Sequence, residues 1–148
     1  MSSEAFLEQW CGPIEERARL VFEEVPLPRD ALTHVAIGDA VASAMGLKPI
    51  GFNWELLDAD GALGESRSAL TVITRATEAD MEFPKESWLG EEGARRFAQD
   101  FVSLFDAPRT VLSNRLEEYW NPLTDAKIEW AFVGYDASKA CLMLLLRD

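Results

Sequence analysis

A chain of 148 residues, 48% hydrophobic and 27% charged, can bury roughly 70% of its unfolded surface without a metal or disulfide staple, which argues against disorder. Its net charge of −12 disfavours nucleic-acid phosphates and acidic membranes as partners and favours basic proteins. No apolar run approaches the roughly 20 residues that cross a bilayer, and "MSSEAFLEQW" lacks the basic head and apolar core of a signal peptide, so the expectation is a single domain over 1–148 in the cytoplasm.

In chain order, Phe6, Leu7, Trp10, Ile14, Ala18, Val21, Phe22 and Val25 recur at helical spacing. Pro13 lacks an N–H and clashes with the preceding turn, so the spacing predicts a short helix over 3–11 and a second one starting at Pro13. Asp30 is the expected N-cap of the next helix and Gly46 its stop, with a small-residue interior that suits close packing. "IGFNWELL" alternates and reads as a strand, with Phe52, Trp54 and Leu56 on one face. "SRSALTVITRAT" reads as its hairpin partner across the turn-rich "DADGALGE". Residues 78–87 form a linker, and "WLGEEGARRFAQDFVSLF" a helix with Ser87 as its cap. "PRTVLSNRLEEYW" carries a helical stripe of Val111, Leu112, Leu116 and Tyr119, with a strand as the alternative. "KIEWAFVGYD" and "KACLMLLLR" are strands joined by a turn near Asp136, the last apolar on both faces and therefore suited to a covered, central position. The sum is an α+β fold of order ααββααββ: a four-stranded, mainly antiparallel sheet with helices packed on one face.

The chemistry is sparse. Trp10-Cys11-Gly12-Pro13 resembles the active-site run of the thioredoxins, a resemblance that implies an activated thiol at a helix start. Ile14 stands where the resolving cysteine belongs, however, and Glu15 and Glu16 oppose a thiolate. Cys11 and Cys141 are expected to be free thiols. A single histidine, His34, rules out a two-histidine metal site, although a Cys11–His34–Asp30 relay can be drawn. "DADGALGE" misses the acids and glycine of a calcium loop at its fifth, sixth and twelfth positions. Phosphate-binding glycine loops and a nucleophile elbow are absent. No catalytic residue, metal or cofactor is assigned.

The acidity is uneven: residues 58–92 carry nine acids against three bases, whereas 93–148 carry eight against seven. Within the first segment Met81, Phe83 and Trp88 are interleaved with Glu78, Asp80, Glu82 and Glu86, which makes this stretch the candidate partner-binding surface. The function expected is that of a small acidic protein-binding module, most concretely an inhibitor or immunity-type neutraliser of a basic protein. Two alternatives stand beside it. One is an enzyme or small-molecule binder with an aromatic pocket of Trp54, Trp120 and Trp130. The other is a structural or chaperone-like subunit that forms a homodimer through an apolar sheet face.

Overall fold

The computed structural model describes residues 1–148 as four helices and one five-stranded antiparallel sheet, in the order β1-β5-β4-β3-β2. The chain runs α1 (Ser3–Glu15), β1 (Arg19–Pro26), α2 (His34–Ala44), β2 (Glu55–Leu57), α3 (Ala69–Thr77), α4 (Gly90–Val102), β3 (Thr110–Ser113), β4 (Ile128–Tyr135) and β5 (Lys139–Arg147). No helix is long and apolar enough to cross a membrane.

The first helix starts where Ser2 accepts a hydrogen bond from the Ala5 N–H, and it buries Phe6, Trp10 and Ile14 along one stripe. It runs through Pro13 instead of breaking there. The proline lies in the last turn, and the carbonyl its ring crowds belongs to Gln9 on the solvent side, where the helix can open. The helix expected beyond Pro13 is replaced from Arg19 by β1. Eight residues pair with β5 in register, from Arg19 opposite Leu146 to Pro26 opposite Lys139. Leu20 and Phe22 then meet one face of the sheet while Val21 and Val25 meet the other, a period-two arrangement that helical spacing had concealed.

The second helix is capped by Thr33, not Asp30, and exits through Gly46, whose φ of 74° suits glycine in the expected stop. Gly38 lets it approach Trp54 closely, since a Cβ there would stand 2.8 Å from the indole. Asp39 ties down the segment that follows, accepting from the Ile50 and Gly51 N–H groups and the Trp54 indole N–H. That segment holds a 3₁₀ turn at Gly51–Asn53, so only three of the eight expected strand residues pair, and Phe52 points away at 95% exposure.

The expected strand around Leu70 is helix α3. Ala69, Val72, Ile73, Ala76 and Thr77 are buried at the i, i+3, i+4, i+7, i+8 spacing and pack against α4, where Ala94, Phe97, Ala98 and Phe101 face inward. Helix α4 starts two residues after Trp88, with no side-chain cap from Ser87. The segment after Pro108 is strand β3, the alternative to a helix.

The final hairpin forms as expected. Asp136 closes its turn by accepting from the Ser138 and Lys139 N–H groups, and its other oxygen accepts from the Asp106 N–H. Strand β5 takes the second place in the sheet. Cys141, Met143 and Leu145 join Phe6, Trp10, Phe97, Phe101 and Phe105 in the core beneath α1, α3 and α4. Ala140, Leu142, Leu144 and Leu146 join Ile37, Val41, Trp54 and Leu123 in a second core beneath α2. The sheet is thus five-stranded rather than four-stranded, and it is covered on both faces rather than one. The order ααββααββ becomes αβαβααβββ.

Candidate functional site

Residues 78–89 connect α3 to α4 as a closed loop. The Asp80 N–H donates to the Glu86 carbonyl, the Glu86 N–H to Phe83, and the Trp88 N–H to Glu78. The centre of the loop is the Asp80 carboxylate. One of its oxygens accepts from the Glu82 and Phe83 N–H groups at 2.9 and 3.0 Å, which forms the turn. Arg147, at the end of β5, donates to both oxygens at 2.8 and 3.0 Å, and Arg17, between α1 and β1, donates to one at 3.1 Å.

Burial works against this carboxylate's charge, but the Phe83 and Glu82 N–H groups, Arg17 and Arg147 outweigh it and hold Asp80 below the usual carboxylate range. Glu86 adds a 3.6 Å pair to Arg17, and Glu82 pairs with Arg147 at 3.7 Å and with Lys127. The acids of this stretch are therefore partly internal: they neutralise arginines brought in from both ends of the chain.

Of the seven residues proposed from sequence, Glu78, Phe83 and Glu86 are exposed, while Met81 and Glu82 are half-buried. Asp80 and Trp88 do not belong to an outward surface. Asp80 is 4% exposed and Trp88 9%, with the Trp88 indole N–H donating to the Pro13 carbonyl at the end of α1. Phe83 remains 50% exposed, its ring 5.8 Å from the Arg147 guanidinium. Glu91 and Glu92 are exposed in the first turn of α4, directly after this loop.

The other sequence candidates separate. Cys11 lies on α1 and His34 at the start of α2, helices on opposite faces of the sheet, so no relay joins them. The Cys11 thiol donates to Glu15 at 3.2 Å, and that hydrogen bond pushes its pKa up, opposite to what a nucleophile needs. Burial pushes Cys141 up to about 12. No group of three His, Cys, Asp or Glu side chains is placed to hold a metal. Of the three tryptophans of the aromatic-pocket reading, Trp54 sits in the core beneath α2, whereas Trp120 and Trp130 meet around Arg115.

That arginine is a functional candidate that sequence reasoning missed, together with Glu129. Glu129 is fully buried in β4 and accepts from Asn114 Nδ2, the Leu123 and Thr124 N–H groups and the Thr124 hydroxyl. It pins the 114–124 segment over the end of the sheet. The one available signal was a glutamate within the apolar strand "IEWAFVGY".

No family model matches the chain, and neither a curated protein nor a solved structure does.

Proposed function

We propose that this protein acts by binding a basic protein through the 78–92 face, as an inhibitor or immunity-type neutraliser would. The observation that carries the reading is Phe83, half exposed on a loop that Asp80 anchors, in a 78–92 stretch whose exposed charges are the carboxylates of Glu78, Glu86, Glu91 and Glu92 against the single ammonium of Lys85. An aromatic anchor loses little conformational entropy on binding when its backbone is already fixed, and an excess of one charge nearby steers a partner of the other.

The test starts with capture from the native host at low salt and elution in a salt gradient. The captured basic protein is then purified and titrated. Phe83→Ala should weaken it by about tenfold or more, as for an interface hot spot. Charge reversal at Glu78 and Glu86 should slow association, steeply so at low salt. Asp80 and Glu82 are unsuitable for reversal, because their charges hold Arg17 and Arg147 in place. Affinity unchanged by both sets of variants sinks the proposal.

A further inference from the structure

Arg115 is the one buried base in this protein with no carboxylate within ion-pair distance. It is 7% exposed, whereas the other arginines and lysines are half-buried or exposed. Its side chain makes two hydrogen bonds, both to backbone carbonyls: Nε to Glu117 at 2.6 Å and one terminal nitrogen to Glu129 at 3.2 Å. A guanidinium carries five N–H donors, so three have no acceptor in the protein. The group lies 4.1 Å from the centre of the Trp130 ring and 5.0 Å from that of Trp120, a cation–π setting that fixes its plane. Burial pulls its pKa down to about 10, against the opposing pull of the Glu118 and Glu129 carboxylates, which lie beyond ion-pair distance.

Two adjoining clefts, of about 550 and 520 Å³, both reach Arg115 and share Arg75, Glu117 and Glu118. Each is within the size range of small-molecule sites. Most of the residues that line them are polar or charged, which suits a charged ligand. Glu118 at the rim of both, and Glu78 at the rim of the second, have no ion-pair partner, while Glu117 reaches Arg75 only at 3.9 Å. A buried cation with spare donors, below rim carboxylates that outnumber the one rim cation both clefts share, Arg75, describes a receptor for two opposite charges on one molecule. A simple anion would meet the rim, and a simple cation the floor.

We propose that these clefts bind a small zwitterion, its carboxylate seated on the spare N–H groups of Arg115 beside Trp130 and its ammonium or guanidinium group among Glu78, Glu117 and Glu118. The site rests on Arg115 and is independent of Phe83.

Three probes at matched ionic strength test it: L-lysine, succinate, and 1,5-diaminopentane. Binding is followed by calorimetry and by the change in tryptophan fluorescence from Trp130, which lines the second cleft. L-Lysine should saturate at about 1 mM or below, and the dianion and the diamine should each bind at least about tenfold more weakly. Glu118→Gln, at an exposed position, should weaken lysine about threefold without changing the melting temperature. Arg115→Gln should abolish binding. Because that residue is buried, Arg115→Lys serves as the second variant: it keeps the charge, loses the planar fork, and should cost about tenfold. Phe83→Ala should leave lysine binding intact, so this site and the protein-binding face fail separately. The assignment is overturned if lysine shows no saturable binding. It is equally overturned if either single-charge probe matches lysine, or if a folded Arg115 variant binds lysine as the parent does.

Discussion

Replacing Asp80 with alanine removes five hydrogen bonds from one buried carboxylate: three from the two arginines and two from backbone N–H groups. Charge-assisted bonds contribute about 1.5–3 kcal/mol each when taken singly, but adding them here overshoots. The side chains of Arg17 and Arg147 both remain 32% exposed, so they can rehydrate once released. The cost therefore belongs near the lower end for a broken buried pair, about 3 kcal/mol. With a urea dependence of about 2 kcal/mol per molar, the unfolding midpoint should fall by about 1.5 M. Asp80→Asn keeps an oxygen for the Glu82 and Phe83 N–H groups and should cost roughly half as much. The acid side gives an independent check. The folded pKa of Asp80 lies below its unfolded value, so its stabilisation is complete above about pH 4 and disappears as the pH falls through the folded pKa. The gap between parent and Asp80→Asn should close over that window. A cost below about 1 kcal/mol for Asp80→Ala at pH 7, or a gap that stays open in acid, refutes the view of Asp80 as the clamp between the two ends of the chain.

Three further outcomes are expected. Burial opposes the charge of Asp136, but the N–H groups of Asp106, Ser138 and Lys139 overcome it and bring its pKa to about 2; Asp136→Asn should cost on the order of 2 kcal/mol at pH 7 and flatten the stability loss between about pH 4 and 2 in urea titrations. Gly134→Ala places a Cβ 2.3 Å from the Phe105 ring, so calorimetry should show a loss of about 3 kcal/mol, partly recovered by Phe105→Leu. Iodoacetamide at pH 7.5 should label Cys11 more slowly than free cysteine and reach Cys141 only after unfolding; rapid labelling of Cys11 by mass spectrometry would restore the thiol-nucleophile reading.

The parts of the fold legible in the sequence are those whose patterning admits a single period. Strand β5 is apolar at every interior position, too rich for a one-sided strand, and it runs between two cores. The turn at Asp136 was legible because an aspartate can close a turn with its own carboxylate. The errors fall where two periods fit the same residues. In "ALTVITRAT", Leu70 and Val72 satisfy alternation, but Ala69, Val72, Ile73 and Ala76 satisfy a helix turn, and packing against α4 decides the matter. In β1 the local spacing favours a helix, and pairing with β5, more than a hundred residues later, overrides it. The outward part of the candidate face was legible from interleaved aromatics and acids. The inward turn of Asp80 was not, since Arg17 and Arg147 are distant in sequence and nothing local marks them as its partners. Arg115 gave no sequence signal, because its distinction is the absence of a partner in space.

Eight residues of β1 hydrogen-bond on one flank only, with nothing beyond them in the sheet. An open row of main-chain donors and acceptors this long is a template on which a second molecule could continue the ladder. Glu23 and Glu24 project to solvent from its middle, and Pro26 closes its end. Two molecules meeting along this margin would bring their glutamates into mutual repulsion. The opposite margin, β2, is protected by its three-residue length. The acidic pair in the middle of β1 therefore guards the one long open margin of the sheet, and replacing both glutamates with valine should promote edge-to-edge association, read as particle growth in light scattering; particles of unchanged size would show that the margin is guarded by something else.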